Sequence, residues 1–113
     1  MKWLFTLVVL LGYSSVFAEG DAAKGEETFA ICAVCHGENA QGSEDFDAPR
    51  LQGQHDWYLL TQLANFKAGV RGAHDDDDGG AIMMGIVESL EESDFADVVA
   101  YIATLEEVAE EEE

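Results

Sequence analysis

Basic residues are scarce in this chain. Five Lys and Arg face 24 Asp and Glu among 113 residues, a formal net charge of −19 at pH 7. That balance excludes nucleic acid as a partner, because phosphates would be repelled, and it favours partners with basic surfaces. Acidity of this kind also serves solubility, and composition does not separate the two uses. Long apolar runs are missing as well. Trp3 to Leu11 spans nine residues, where a membrane span needs about 20. Preceded by Met1 and Lys2 and followed by Val16 and Ala18, that run has the layout of an export signal cut after residue 18. No cysteine sits at the cut, which argues against a lipoprotein. The expected organisation is a signal peptide at 1–18, one domain at 19–106 and an acidic tail at 107–113. A mature chain of about 95 residues buries only part of its apolar surface, so it needs a disulfide, metal or cofactor.

Strand patterns are absent too, and the segments point to an all-α fold. Residues 21–36 read as a helix with Asp21 as N-cap, Glu26 and Glu27 placed early for the dipole, and Gly37 as the stop. Residues 37–54 carry three glycines and the only proline, Pro49, and read as loop. A second helix is expected over 55–68, closed by Gly69. The stretch 71–80 reads as an exposed loop. Its four consecutive aspartates lack the alternating spacing of a calcium loop, so they read as a solvated run. Residues 81–90 form a short apolar turn or helix. A final helix over 92–105 places Phe95, Val98, Val99, Ile102 and Leu105 on one stripe.

Cysteine occurs only twice, and both copies fall in CAVCH at residues 32–36. On a helix Cys32, Cys35 and His36 share a face, since residues three and four apart are neighbours. C-x-x-C-H is the spacing of c-type haem attachment: two thiols reach the two vinyl groups of one haem, and the adjacent imidazole binds iron. Three other uses of the pair are weaker. A thioredoxin-like redox pair follows a strand, and none precedes this helix. A zinc site needs two more ligands, and no second cysteine pair exists. A disulfide across two residues closes too small a loop to add much stability. A haem disc would also supply the core that so short a chain lacks, so the chain without haem is expected not to fold. The second axial ligand decides much of haem function, and the candidates are Met83, Met84, His55 and His74. His55 and His74 read as surface histidines. The methionines lie late in the chain, before the final helix, where a thioether can approach the face opposite His36.

Taken together, GDAAKGEETFAICAVCHGENAQG, APRLQGQHDWYLLTQLANFKAGVR and MMGIVESLEESDFADVVAYIATL resemble class I cytochromes c. The likeness is greatest to the small bacterial monohaem ones and to either half of the dihaem cytochromes c that deliver electrons to terminal oxidases. The resemblance implies three main helices plus a short one around one covalently attached haem c. It implies thioethers at Cys32 and Cys35, proximal ligation by His36, and Pro49 as the residue whose carbonyl accepts the histidine's ring N–H. Gly25 and Phe29 match positions where the first helix crosses the last, against Tyr101, while Tyr58 and Arg71 match positions near a haem propionate. Met83 fits the axial position better than Met84. The chain departs from its relatives at Glu91, where a serine cap is common, and in its acidic loop and tail.

The function so implied is a periplasmic one-electron carrier and not an enzyme. It has His36/Met83 ligation and docks on redox proteins (oxidase, reductase or another cytochrome) through their basic surfaces. Once the signal is removed, no membrane span remains. Two other readings stay open from sequence: a haem enzyme or small-ligand sensor with an open sixth position, and a haem subunit of a larger oxidoreductase.

Overall fold

Four helices follow one another in the computed structural model, which describes residues 20–105: α1 (Ala22–His36), α2 (Asp56–Lys67), α3 (Asp78–Glu88) and α4 (Glu92–Thr104). The expected signal peptide at 1–18 and acidic tail at 107–113 lie outside the described residues. The only strand-like pairing among the described residues is a single bridge between Ser43 and Ala48.

Asp21 caps α1, its carboxylate accepting from the backbone N–H groups of Ala23 and Lys24. Glu26 and Glu27 fall beyond the first turn, so the cap rather than those side chains offsets the exposed N–H groups there. The helix stops at Gly37, whose φ of 88° suits glycine and whose N–H returns to the Ala33 carbonyl at 2.9 Å. Gly25, Phe29 and His36 are its buried residues; spacings of four and seven put them on one face.

That face lies on α4, which buries Phe95, Val98, Val99 and Ile102. The crossing is close because Gly25 has no side chain: a methyl there would overlap the Asp97 carbonyl and press on Tyr101 Cβ. Phe29 and Tyr101 meet beside it with ring centroids 5.4 Å apart at 53°. The Asp21 N–H donates to the Asp97 carboxylate at 2.7 Å. At Glu91, where the serine cap common in relatives is absent, Asp94 completes the cap by accepting from the Glu91 N–H at 2.9 Å.

The region after residue 71 differs from expectation. The exposed loop ends early, because Asp77 caps α3 by accepting from the Gly80 N–H at 2.8 Å. The aspartate run therefore starts a helix instead of only solvating a loop; a carboxylate at the N-cap favours helix initiation. At 11 residues α3 is the shortest of the four helices, and it begins at Asp78 rather than at residue 81.

Two apolar clusters hold the helices. One joins Phe29 of α1 and Leu59 of α2 to Val98, Val99 and Ile102 of α4. The other joins Phe66 of α2, Val87 of α3 and Phe95 of α4. Leu60 and Leu63 pack against both, so one face of α2 links them.

Candidate functional site

The last turn of α1 presents CAVCH. Cys32 and Cys35 are half-buried free thiols, not joined to each other. Cys32 packs against the larger apolar cluster, and burial pushes its thiol up to about 11, against a smaller downward pull from a backbone hydrogen bond. His36 is 4% exposed, and its Nδ1 lies 2.8 Å from the Pro49 carbonyl oxygen. A carbonyl only accepts, so Nδ1 carries a proton, and in the neutral ring Nε2 is the nitrogen with the lone pair.

The segment 37–54, which has no period in sequence, is extensively bonded to itself and to the helix ends. The Gly42 N–H donates to the His36 carbonyl at 2.7 Å. The Ala40 carbonyl accepts from Leu51 and Gln52 at 2.9 and 3.1 Å, with Ala40 fully buried in a left-handed conformation at φ 54°. Ser43 and Ala48 exchange two hydrogen bonds of 2.9 Å, which fixes the chain just before Pro49. Buried Gln52 reaches across to the Leu105 carbonyl at 2.9 Å, tying the loop to the end of α4. Together these bonds aim the Pro49 carbonyl at the imidazole.

Met83 and Met84 lie midway along α3, both half-buried against the cluster of Phe66, Val87 and Phe95. Neighbours on a helix point about 100° apart, so the two cannot serve one site equally. Met84 packs beside the turn after α2: methyls at Gly69 and Gly72 would stand 3.7 Å from its Cε and 3.2 Å from its Cβ.

The remaining sequence candidates stand on the surface. Tyr58 is exposed, edge-on to Trp57 with centroids 6.1 Å apart. The Arg71 guanidinium donates to Gln62 Oε1 at 2.9 Å and lies 4.7 Å from the centre of the Phe66 ring. His55 stacks on Trp57 at 5.6 Å. Exposed His74 accepts from the Asp76 N–H at 3.3 Å. Among the described residues no three or more His, Cys, Asp or Glu side chains converge into a cation site.

Two residues in this region escaped the sequence reading. Gln52 bonds to a carbonyl 53 positions further on. Lys67, the last residue of α2, sends its ammonium to carbonyls 21 and 23 positions further on. No local pattern signals contacts of that range. The donor set as a whole fits a haem c: two thiols on one helical face, a buried imidazole with a free lone pair, and a thioether on a separate helix.

The family profile described as "Cytochrome c" matches residues 22–106. Among curated relatives, "Cytochrome c4" of Azotobacter vinelandii is 34% identical over 106 residues, covering 91% of this chain and 50% of the relative. "Cytochrome c-554(548)" of Halomonas halodenitrificans is 35% identical over 89 residues, covering 77% of this chain and 99% of the relative. "Cytochrome c-554(547)" of Halothiobacillus neapolitanus is 40% identical over 91 residues, covering 76% and 98%. The chain thus spans about half the length of the cytochromes c4 it matches and nearly the whole of the two smaller proteins.

Proposed function

The chain belongs to the cytochrome c family, and from that premise we propose that it is an exported, periplasmic one-electron carrier with His36 and Met83 as axial ligands. A cytochrome c domain with cysteines paired as Cys32 and Cys35 holds one covalent haem c. The bound haem supplies one-electron exchange at its iron. The observation that carries the reading is the 2.8 Å contact from His36 Nδ1 to the Pro49 carbonyl. It sets the tautomer, fixes the ring and leaves Nε2 as the ligating atom.

The thiols of Cys32 and Cys35 tether the group to α1 beside that imidazole. Met83 on α3 offers a soft, polarisable sulfur, and its thioether raises the reduction potential over that of a harder ligand. Met84 packs the turn after α2. In this reading Tyr58 and Arg71 would serve a haem propionate, toward which the guanidinium retains N–H groups beyond the one given to Gln62. The chain itself transforms no substrate. It sets potential, keeps water from the iron and presents a docking surface whose negative charge suits redox partners with basic patches. That same charge favours the ferric state and so opposes the thioether's effect. Among the described residues no helix is long and apolar enough to cross a membrane.

The test is an absorption spectrum of the purified protein. A weak far-red methionine-to-iron band in the ferric state, with no change when carbon monoxide meets the reduced state, is expected. Ready carbon monoxide binding without the band would instead indicate an open site, and with it an enzyme or sensor.

A further inference from the structure

Of the four helices, α3 has the least anchorage by burial. Its buried residues are Gly80 and Val87, whereas α4 buries four large apolar side chains. Yet α3 carries the proposed sixth ligand, and a thioether must be held within a few tenths of an ångström to ligate well. Polar and backbone ties hold it instead. At its start the Asp77 cap accepts from Gly80, and the backbones of Gly72 and Gly80 pass so close that a methyl on Gly72 would collide with the Gly80 carbonyl. At its end the Lys67 ammonium donates to the Glu88 carbonyl at 2.8 Å and to the Leu90 carbonyl at 2.6 Å.

The C-terminal carbonyls of a helix lack intrahelical partners and carry the negative end of its dipole. No basic residue occurs in the last turn of α3, so the neutralising charge comes from the neighbouring helix. Lys67 thereby fixes the end of α3 against the end of α2 and also holds the first residues of the turn into α4. Met83 lies five residues before Glu88, about 7.5 Å along the axis. A slide or rotation of α3 would carry its sulfur with it.

We infer that Lys67 is a positioning residue for Met83: by capping the C-terminus of α3 it holds the thioether in place and makes it harder to displace. This rests on the assignment of Met83 above. It is tested on the full haem-loaded ferric protein by titration with imidazole, which competes with the thioether, alongside the far-red band. Lys67→Met keeps the apolar stem and loses the ammonium. It is expected to bind imidazole roughly 3- to 10-fold more tightly, the effect of losing a helix-end charge and its hydrogen bonds, with a weaker far-red band. Lys67→Arg, which keeps charge and donors, is expected to stay within about twofold of the unchanged protein on the same grounds. Ile102→Val, a loosening in the other apolar cluster, is expected to lower thermal stability while leaving imidazole affinity alone.

Equal imidazole affinity in the Lys67→Met and unchanged proteins, with the far-red band present in both, overturns the inference and leaves Met83 as ligand. A comparable gain in Ile102→Val also overturns it, since general loosening would then account for the effect. If the unchanged protein has no far-red band and Met83→Ala does not alter imidazole affinity, the ligand assignment fails and the inference falls with it.

Discussion

His36 was recognisable from its neighbours in sequence, because C-x-x-C-H is a local pattern imposed by one turn of helix. Its tautomer was not. That depends on Pro49, 13 residues away, being turned back onto the ring by the Ser43–Ala48 pairing and the bonds at Ala40. The two methionines are a similar case: spacing alone leaves the pair ambiguous, and although Met84 packs beside Gly69 and Gly72, the choice of Met83 as ligand is the proposal made above. Two substitutions check this. Met83→Ala is expected to abolish the far-red band, open the reduced protein to carbon monoxide and lower the reduction potential. Met84→Ala is expected to keep the band and the closed site while costing about 2 kcal/mol of stability, the low end for a methionine only half-buried. Spectra of the two variants, with a denaturant titration, read both effects.

At the scale of elements, the helices with strong apolar stripes were the legible ones. The stripe of α4 follows from its period, and the close crossing at Gly25 and Phe29 that the family resemblance implies is there. Gly25→Ala is expected to force α1 away from the Asp97 carbonyl, which as backbone cannot swing aside. The cost is about 1–3 kcal/mol, read as a melting temperature lower by about 4–8 °C per kcal/mol in a domain of this size. Asp94→Ala should cost less, about 0.5–1 kcal/mol, by removing the carboxylate that accepts from the Glu91 N–H; a thermal melt followed by circular dichroism ranks the two. The start of α3 was harder to read. A run of aspartates followed by two glycines signals a loop, and only the capping bond from Gly80 to Asp77 and the close pass of Gly72 turn it into the first turn of a helix.

The whole molecule combines a small apolar core with a large negative charge. Two clusters, one of them with only three buried residues at its centre, leave the chain short of apolar burial for its size. A haem-free protein made by replacing Cys32 and Cys35 with alanine is therefore expected to melt without a cooperative transition, whereas the loaded protein melts cooperatively. Scanning calorimetry on both forms decides it. The net charge of −19 gives a second expectation: electron exchange with a basic redox partner should slow markedly between low salt and about 0.5 M salt, as screening shortens the reach of the field. A stopped-flow rate independent of ionic strength would remove the electrostatic basis for docking.

By itself the sequence determined what short-range geometry and bulk charge dictate: helices from periodicity, the haem-binding turn from a spacing of three, and a strongly negative molecule from the excess of carboxylates. The tertiary structure decided what depends on contacts between distant parts of the chain. It set the proton on His36 Nδ1 through Pro49, the packing of Met84 beside the turn after α2, and the cap that Lys67 places on α3 from another helix. The physical reason is range. Side chains within a helical turn meet whatever the rest of the chain does, but a carbonyl 13 or 21 residues away becomes a partner only after the helices have packed.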